Sequence, residues 1–331
     1  MALTACLNCG TAVRGEHAVC PECGAEQPPP EDIRRMPHQV VLTFVEHAED
    51  YLKSSLGKQL ALAFMAGAFI TFGAMLSVAL TVGLKPMGIA EAVLGLGFTA
   101  GFVMVILSGA ALFTEVNVLV PELMLSHRRA PLRLLRFWLV VYLGNAVGAI
   151  AVAALLNWAR VLGPEQTHRL IQLLAVKLQF QHTGIEGWLR AVGSGAAANW
   201  LVGMAAFLAV AARTVAGKIL GIALPIITFV ALGLQHSPAN MGYFSLGLIH
   251  GHVGTDAGTA IAWSIAPATV GNLLGGVIFV ALLFWYTYGS SPKSREAPEN
   301  ADVVASGGPD MITGSRPSVP PVAPGAVPTP T

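Results

Sequence analysis

Two places in this sequence carry residues whose types and spacing can do chemistry. The first is Cys6-x-x-Cys9 with Cys20-x-x-Cys23, each second cysteine followed by glycine (Gly10, Gly24). Two such knuckles can supply four thiolates to one tetrahedral metal, normally zinc, and the glycines let backbone amides turn toward the sulfurs. The four ligands span only 18 residues, too few for a hydrophobic core, so the metal would have to hold the fold. No coordination position stays open, which predicts a structural zinc in a zinc ribbon over residues 1–27. The alternative, a disulfide pair, suits an oxidising compartment and not the cytoplasmic side inferred below.

The second place is a pair of interruptions in apolar sequence. Ser237-Pro238 reads as a helix start, with serine as cap and proline at the first helical position. Thr114-Glu115 reads the same way, with an acid near the positive helix end. Each break exposes backbone amides, which at a half-helix N-terminus attract anions. His236 lies in the second break, and an ionisable residue at membrane depth is a functional candidate. Its plainer reading is a buried neutral imidazole hydrogen-bonded to the facing loop. Lys218 is a candidate cation for drawing an anion inward, or simply a positive-inside anchor.

The elements that must position these residues follow from composition. Of 331 residues, 54% are hydrophobic and 11% charged, with net charge +1 and mean hydropathy +0.64. That excludes a disordered chain and a soluble enzyme of ordinary composition, and offers no bulk charge for binding nucleic acid. Six windows lacking Asp, Glu, Lys and Arg are long enough to span a bilayer. They predict helices near 59–83, 92–125 (interrupted), 131–157, 189–212, 218–250 (interrupted) and 265–288. Arg128, Arg129, Arg213, Lys218, Lys293 and Arg295 fall on one side with both termini, which makes that side cytoplasmic. The long loop 158–188 dissents, with Arg160, Arg169 and Lys177 on the other side. No basic region followed by an apolar run marks a signal peptide. Residues 28–39 read as a linker. An amphipathic helix over 40–54 is expected on the cytoplasmic membrane surface, where it opens a six-helix domain over 40–289. Residues 290–331, rich in Pro, Gly and Ser, read as a disordered cytoplasmic tail.

The second half echoes the first. Gly144-Asn145-x-x-Gly148 matches Gly271-Asn272-x-x-Gly275, and Ala66-Gly67-Ala68 sits where Ser194-Gly195-Ala196 sits. The two breaks also correspond. Three spans per half is an odd number, so the halves must be inverted. Inverted repeats with interrupted helices in matching positions point to a transport site at the midplane. The fold class is therefore an all-α integral membrane protein of six helices in two inverted three-helix repeats, preceded by the small ribbon.

Over about residues 40–289 the chain resembles the formate/nitrite transporter family. The resemblance rests on Gly217-Lys218-Ile219 through Leu224-Pro225, Phe229-Val230, Gly233, Gln235-His236-Ser237 and Ala239-Asn240-Met241. Leu112-Phe113-Thr114, Asn199-Trp200-Leu201-Val202 and Gly271-Asn272-x-x-Gly275-Gly276 add to it. It implies an aquaporin-like protomer with its own pore, a homopentamer in the inner membrane, and transport of small monovalent anions such as formate or nitrite, often with a proton. By the same resemblance His236 is the central histidine and Thr114 the loop threonine facing it. Asn199, Val202, Phe113 and Phe229 line constrictions, and Phe98 and Phe102 belong to an outer or inner apolar collar. Gln235 stands where the family commonly has Glu, and Ala111 where it commonly has an acid, which bears on proton coupling.

Other functions compete with this one. A neutral-solute channel would suit Gln235 and the apolar collars. A membrane-anchored adaptor, with a vestigial pore and a cytoplasmic protein partner for the ribbon, would leave His236, Thr114 and both repeat asparagines without a reason to be intact. A hydrolase using Ser237 and His236 fails because adjacent residues do not easily make a nucleophile–base pair, and no acid partner is visible.

Overall fold

The computed structural model describes residues 3–5, 9, 11–14, 19–25, 34–127, 131–251 and 253–289. Cys6, most of the expected linker and the expected disordered tail at 290–331 lie outside the described residues. Two short strands, β1 (Leu3–Ala5) and β2 (Ala12–Arg14), pair antiparallel. The helices are α1 (Pro37–Lys53), α2 (Leu56–Thr81), α3 (Met87–Ser108), α4 (Phe113–His127), α5 (Pro131–Trp158), α6 (Pro164–Lys177), α7 (Gly184–Ala211), α8 (Val215–Ala231) and α9 (Ser237–His250). A last helical stretch, α10 (Ala257–Gly289), contains π-type turns over Gly275–Leu282.

Among the described residues, five helical stretches are long and apolar enough to cross a membrane, and the shorter apolar Val215–Ala231 is a sixth hydrophobic piece. Both interruptions expected from sequence are present: α3 ends four residues before α4 begins, and α8 ends five residues before α9. The two halves interlock. α2 packs on α5, α7 on α10, and α3 on α8, while α9 lies against α5 and α4 against α10. Glycine makes the closest of these approaches possible. A Cβ on Gly148 would strike the Phe64 carbonyl, and one on Gly275 the Ala196 carbonyl, so the G-N-x-x-G spacing is a packing surface as well as a repeat mark.

Three expectations need correction. The segment 158–188 is not a loop. It folds into α6, whose Leu170, Leu173 and Leu174 are buried, and α6 packs on α9. Two of its three cations are engaged within the protein: Arg169 pairs with Glu91 at 3.1 Å and Lys177 donates to the Leu234 carbonyl at 2.7 Å. That is why these two dissented from the charge rule, which counts loop cations facing water and lipid, whereas Arg160 is exposed. The amphipathic helix begins at Pro37, and its apolar face, Val40, Val41, Phe44, Val45 and Ala48, is buried. α4, α7 and the end of α10 cover it, so protein occupies the face that a surface helix would give to lipid.

Candidate functional site

Both breaks are made the same way. α3 ends with Gly109 at φ +68°, and α8 with Gly233 at φ +66°, a conformation that costs glycine little and other residues much. After each glycine the chain closes a Schellman turn, through Ala110 N–H to Val105 O in one and Leu234 N–H to Phe229 O in the other. One buried asparagine then fixes each break. Asn145 accepts the Phe113 N–H at 2.9 Å and donates to the carbonyls of Ala63 and Ala111. Asn272 accepts the Ser237 N–H at 2.8 Å and donates to the carbonyls of Gly195 and Gln235. In each half, one carboxamide satisfies two backbone groups stranded by the break and ties them to a carbonyl of a neighbouring helix, since it offers both a carbonyl and two N–H groups. The sequence marked these asparagines as repeats but not as positioning residues. Only the folded chain brings each one alongside its break.

The breaks meet at Thr114 and His236, where Thr114 Oγ1 lies 2.9 Å from His236 Nε2. Sequence reading made Ser237 the cap of α9; His236 holds that place instead, its Nδ1 accepting the Ala239 N–H at 3.2 Å. Ser237 cannot serve because its N–H and hydroxyl both donate to Asn272 Oδ1. Thr114 likewise lies inside α4, whose first helical turn closes from Val116 N–H to Leu112 O, so its hydroxyl is released to face His236. With Nδ1 accepting from a backbone amide, the neutral imidazole carries its proton on Nε2 and donates it to Thr114.

Three phenyl rings enclose the imidazole. Phe229 lies 5.2 Å away, Phe102 6.3 Å and Phe98 6.5 Å, centroid to centroid. Phe98 and Phe102 thus both lie around His236. Phe98 stands edge-on to Phe229 and stacks on Tyr243. Thr114, His236, Phe98, Phe102 and Val202 are 0% exposed, and Phe229 is 1%, so the centre is closed to hydrated solutes. On one side, Phe98 and Phe229 form part of the wall of a cavity of about 260 Å³ whose polar lining includes Lys177, Glu91 and Tyr243.

The remaining expected residues fall into two groups. Gln235 and Asn240 form a network behind the second break: Asn240 donates to Gln235 Oε1 at 2.7 Å and to Ser264, while Gln235 Nε2 donates to the Lys177 carbonyl at 3.2 Å. An ionised glutamate at 235 could not make that last bond. Gln235→Glu should therefore lower the melting temperature of the purified protein, because a carboxylate would face the Lys177 carbonyl in a buried site. Asn199 donates to the Asn272 carbonyl at 2.7 Å and so supports the same break. Phe113 packs on Tyr142, 4.9 Å away, outside the cage. Lys218 does not join the centre. It sits in the first turn of α8, about 20 Å along the helix from the break at 1.5 Å per residue. The cation that reaches the break is Lys177, whose place was hidden because α6 had been read as loop.

At the N-terminus, the thiol sulfurs of Cys9, Cys20 and Cys23 lie within 4.8 Å of one another, and Cys9 Sγ is 3.8 Å from Cys20 Sγ. A tetrahedral zinc with Zn–S bonds of about 2.3 Å sets its sulfurs about 3.8 Å apart, so these three cysteines fit a metal site. The fourth expected ligand, Cys6, lies outside the described residues.

A family model described as formate/nitrite transporter matches residues 38–286. The chain is 36% identical over 260 residues to a probable formate transporter of Methanothermobacter thermautotrophicus, covering 71% of this chain and 90% of that protein. It is 31% identical over 250 residues to formate channel FocA of Escherichia coli (strain K12), covering 70% and 86%. Among solved structures, an FNT family ion channel aligns with a TM-score of 0.65 at 26% identity, covering 76% of this chain and 98% of that one. A pentameric formate channel with formate bound shares the fold with a TM-score of 0.60 at 24% identity, covering 70% and 97%.

Proposed function

The chain belongs to the formate/nitrite transporter family, and from that premise we propose that it carries a small weak-acid anion, formate or a close relative such as nitrite, together with a proton, through a pore centred on His236 and Thr114. The observation that carries this reading is the 2.9 Å Thr114–His236 contact inside the cage of Phe98, Phe102 and Phe229. A bare anion would lose its hydration there with few polar groups to replace it, a cost its neutral acid largely avoids. The anion enters the cavity beside the Lys177 ammonium. It takes its proton before or at the phenyl rings and passes the His236–Thr114 pair as the acid. There Nε2–H can donate to the acid's carbonyl oxygen, and the Thr114 hydroxyl can accept from its O–H. A second proton on the imidazole would have to share Nδ1 with the Ala239 N–H, so His236 serves in this scheme as a fixed donor and water in the cavity supplies the proton.

Uptake of labelled formate into proteoliposomes tests the reading. Initial rates at fixed total formate should climb as external pH falls, following the protonated fraction. A rate that ignores pH, or no formate flux in folded and inserted protein, would reject it. The same proposal includes six membrane crossings, with α3–α4 and α8–α9 each making one, both termini cytoplasmic in the inner membrane, and a homopentamer. What supports assembly is the likeness of this fold to that of a pentameric formate channel.

The ribbon completes the proposal, with Cys9, Cys20 and Cys23, joined by Cys6, holding a structural zinc on the cytoplasmic side, where it can recruit a protein partner. Bound there, zinc supplies cross-linking of a segment without a core. Purified protein should contain stoichiometric zinc by mass spectrometry of the metal. The Cys9→Ser, Cys20→Ser double variant should contain none while its formate flux stays near wild type.

A further inference from the structure

The likeness of the two breaks locates an acid that only the first half possesses. The carbonyls of Ala111 and Gln235 accept from the two repeat asparagines, the amides of Phe113 and Ser237 donate to them, and Gly109 and Gly233 end the preceding helices. All three matches share one sequence offset, and that offset pairs Glu115 with Ala239. Ala239 lines the cavity on the Lys177 side. In an inverted repeat that pairing assigns Glu115 to the opposite side of the Thr114–His236 pair, at the place Ala239 holds on the Lys177 side. The mouths differ in chemistry as well. Lys177 Nζ donates to the Leu234 carbonyl at one break, and the Tyr51 hydroxyl donates to the Gly109 carbonyl at the other, at 3.1 Å.

Glu115 is 9% exposed, and its Oε2 is buried with no hydrogen-bond partner. No ion pair among the described residues involves it. The ionisable groups around it are Tyr51 on α1, close enough for a charge on Glu115 to be felt at its hydroxyl, Tyr142 on α5 against the neighbouring Phe113 ring, and Glu122 two turns along α4, with both carboxyl oxygens unpartnered. Lys218 on α8 stands at the same mouth, since the shared offset pairs it with the cavity residue Leu94. A buried carboxyl oxygen without a partner is costly, and a group that alternates between carboxyl and carboxylate beside a pore has a use for that free oxygen.

We propose that Glu115 is the proton-exchanging group of this second mouth. An acid that has passed His236 and Thr114 gives its proton to Oε2: the O–H bond of the acid breaks, an O–H bond forms on Glu115, and the anion leaves. Water at the mouth then takes the proton from Glu115, and the steps reverse for export. The inference rests on the weak-acid reading above.

Labelled formate uptake and internal pH are followed together in proteoliposomes, over a series of internal pH values, for wild type, Glu115→Gln and Glu115→Asp. Glutamine keeps the shape and removes the exchangeable proton. It should slow formate-linked proton movement about a hundredfold, the low end for a lost acid–base group, and flatten the internal-pH profile. Aspartate should retain the inflection. A Gln variant with wild-type rate and profile overturns the inference while leaving the weak-acid reading intact. If wild type carries no formate, both fall. Should Glu115→Gln fail to assemble, Glu115→Ala, which copies the Ala239 of the other half, takes its place with the same expected loss, and a wild-type rate and internal-pH profile in that variant overturns the proposal.

Discussion

His236→Asn should leave a folded, inserted protein that carries formate about ten to a hundred times more slowly than wild type. Asparagine is a good N-cap, so its Oδ1 can still accept the Ala239 N–H that His236 Nδ1 accepts at 3.2 Å. It is too short to place a second donor where Nε2 meets Thr114 at 2.9 Å. The variant thus separates the structural role of the ring from its role toward the permeating acid. The size of the effect follows from leaving the acid's carbonyl oxygen without a donor in a closed site, about 1–3 kcal/mol, with each 1.4 kcal/mol worth about tenfold. His236→Ala is a poorer test because it removes the cap and also leaves a void among Phe98, Phe102 and Phe229. Thr114→Val should give a similar loss of flux while keeping volume. If His236→Asn and Thr114→Val both carry formate at the wild-type rate in correctly assembled protein, the pair is not the centre of transport.

Asn272→Ala should strongly destabilise this fold. It strands the Ser237 N–H and hydroxyl and the carbonyl of Gln235 at a buried break, while the Gly195 carbonyl keeps its place in the α7 ladder. Three unsatisfied polar groups at about 1–3 kcal/mol each amount to a large share of the roughly 5–15 kcal/mol that holds a typical domain together. The expected result is loss of the assembled species in detergent, read by size-exclusion chromatography and by thermal unfolding. Asn145→Ala should behave the same way, because it serves Phe113, Ala63 and Ala111 identically. Asn199→Ala is the internal comparison. Asn199 donates one hydrogen bond, to the Asn272 carbonyl, so its replacement should shift the melting temperature far less. Equal effects for Asn199 and Asn272 would contradict the account of how the breaks are held.

Both predictions turn on residues whose identity was legible early and whose task was not. His236 stood out as an ionisable side chain within an apolar window, and Thr114 as a helix-start residue at the corresponding break of the first half. That the ring caps α9 while serine does not is a consequence of Asn272 reaching the Ser237 amide and hydroxyl from another helix. Sequence reading ranks caps by local preference and has no access to such competition. Lys177 was obscured for a related reason. The apolar face of α6, Leu170, Leu173 and Leu174, is short and interspersed with polar residues. Its helix exists because α9 is there to cover it, which no window of sequence contains.

By itself the sequence determined the membrane character, the long helical windows, the two interruptions and the repeat that relates them. These are written in quantities that sum along the chain: the absence of charge over about 20 residues, glycines at fixed intervals, and residues suited to helix ends. The tertiary structure decided which side chain touches which. It gathered Phe98, Phe102 and Phe229 from α3 and α8 around one imidazole, turned α1 from a membrane-surface helix into one covered by α4, and carried Lys177 to one break and Tyr51 to the other. Such contacts depend on the directions of side chains from helices far apart in sequence. Those directions are set only when the halves interlock and each buried polar group finds the partner that makes its burial tolerable.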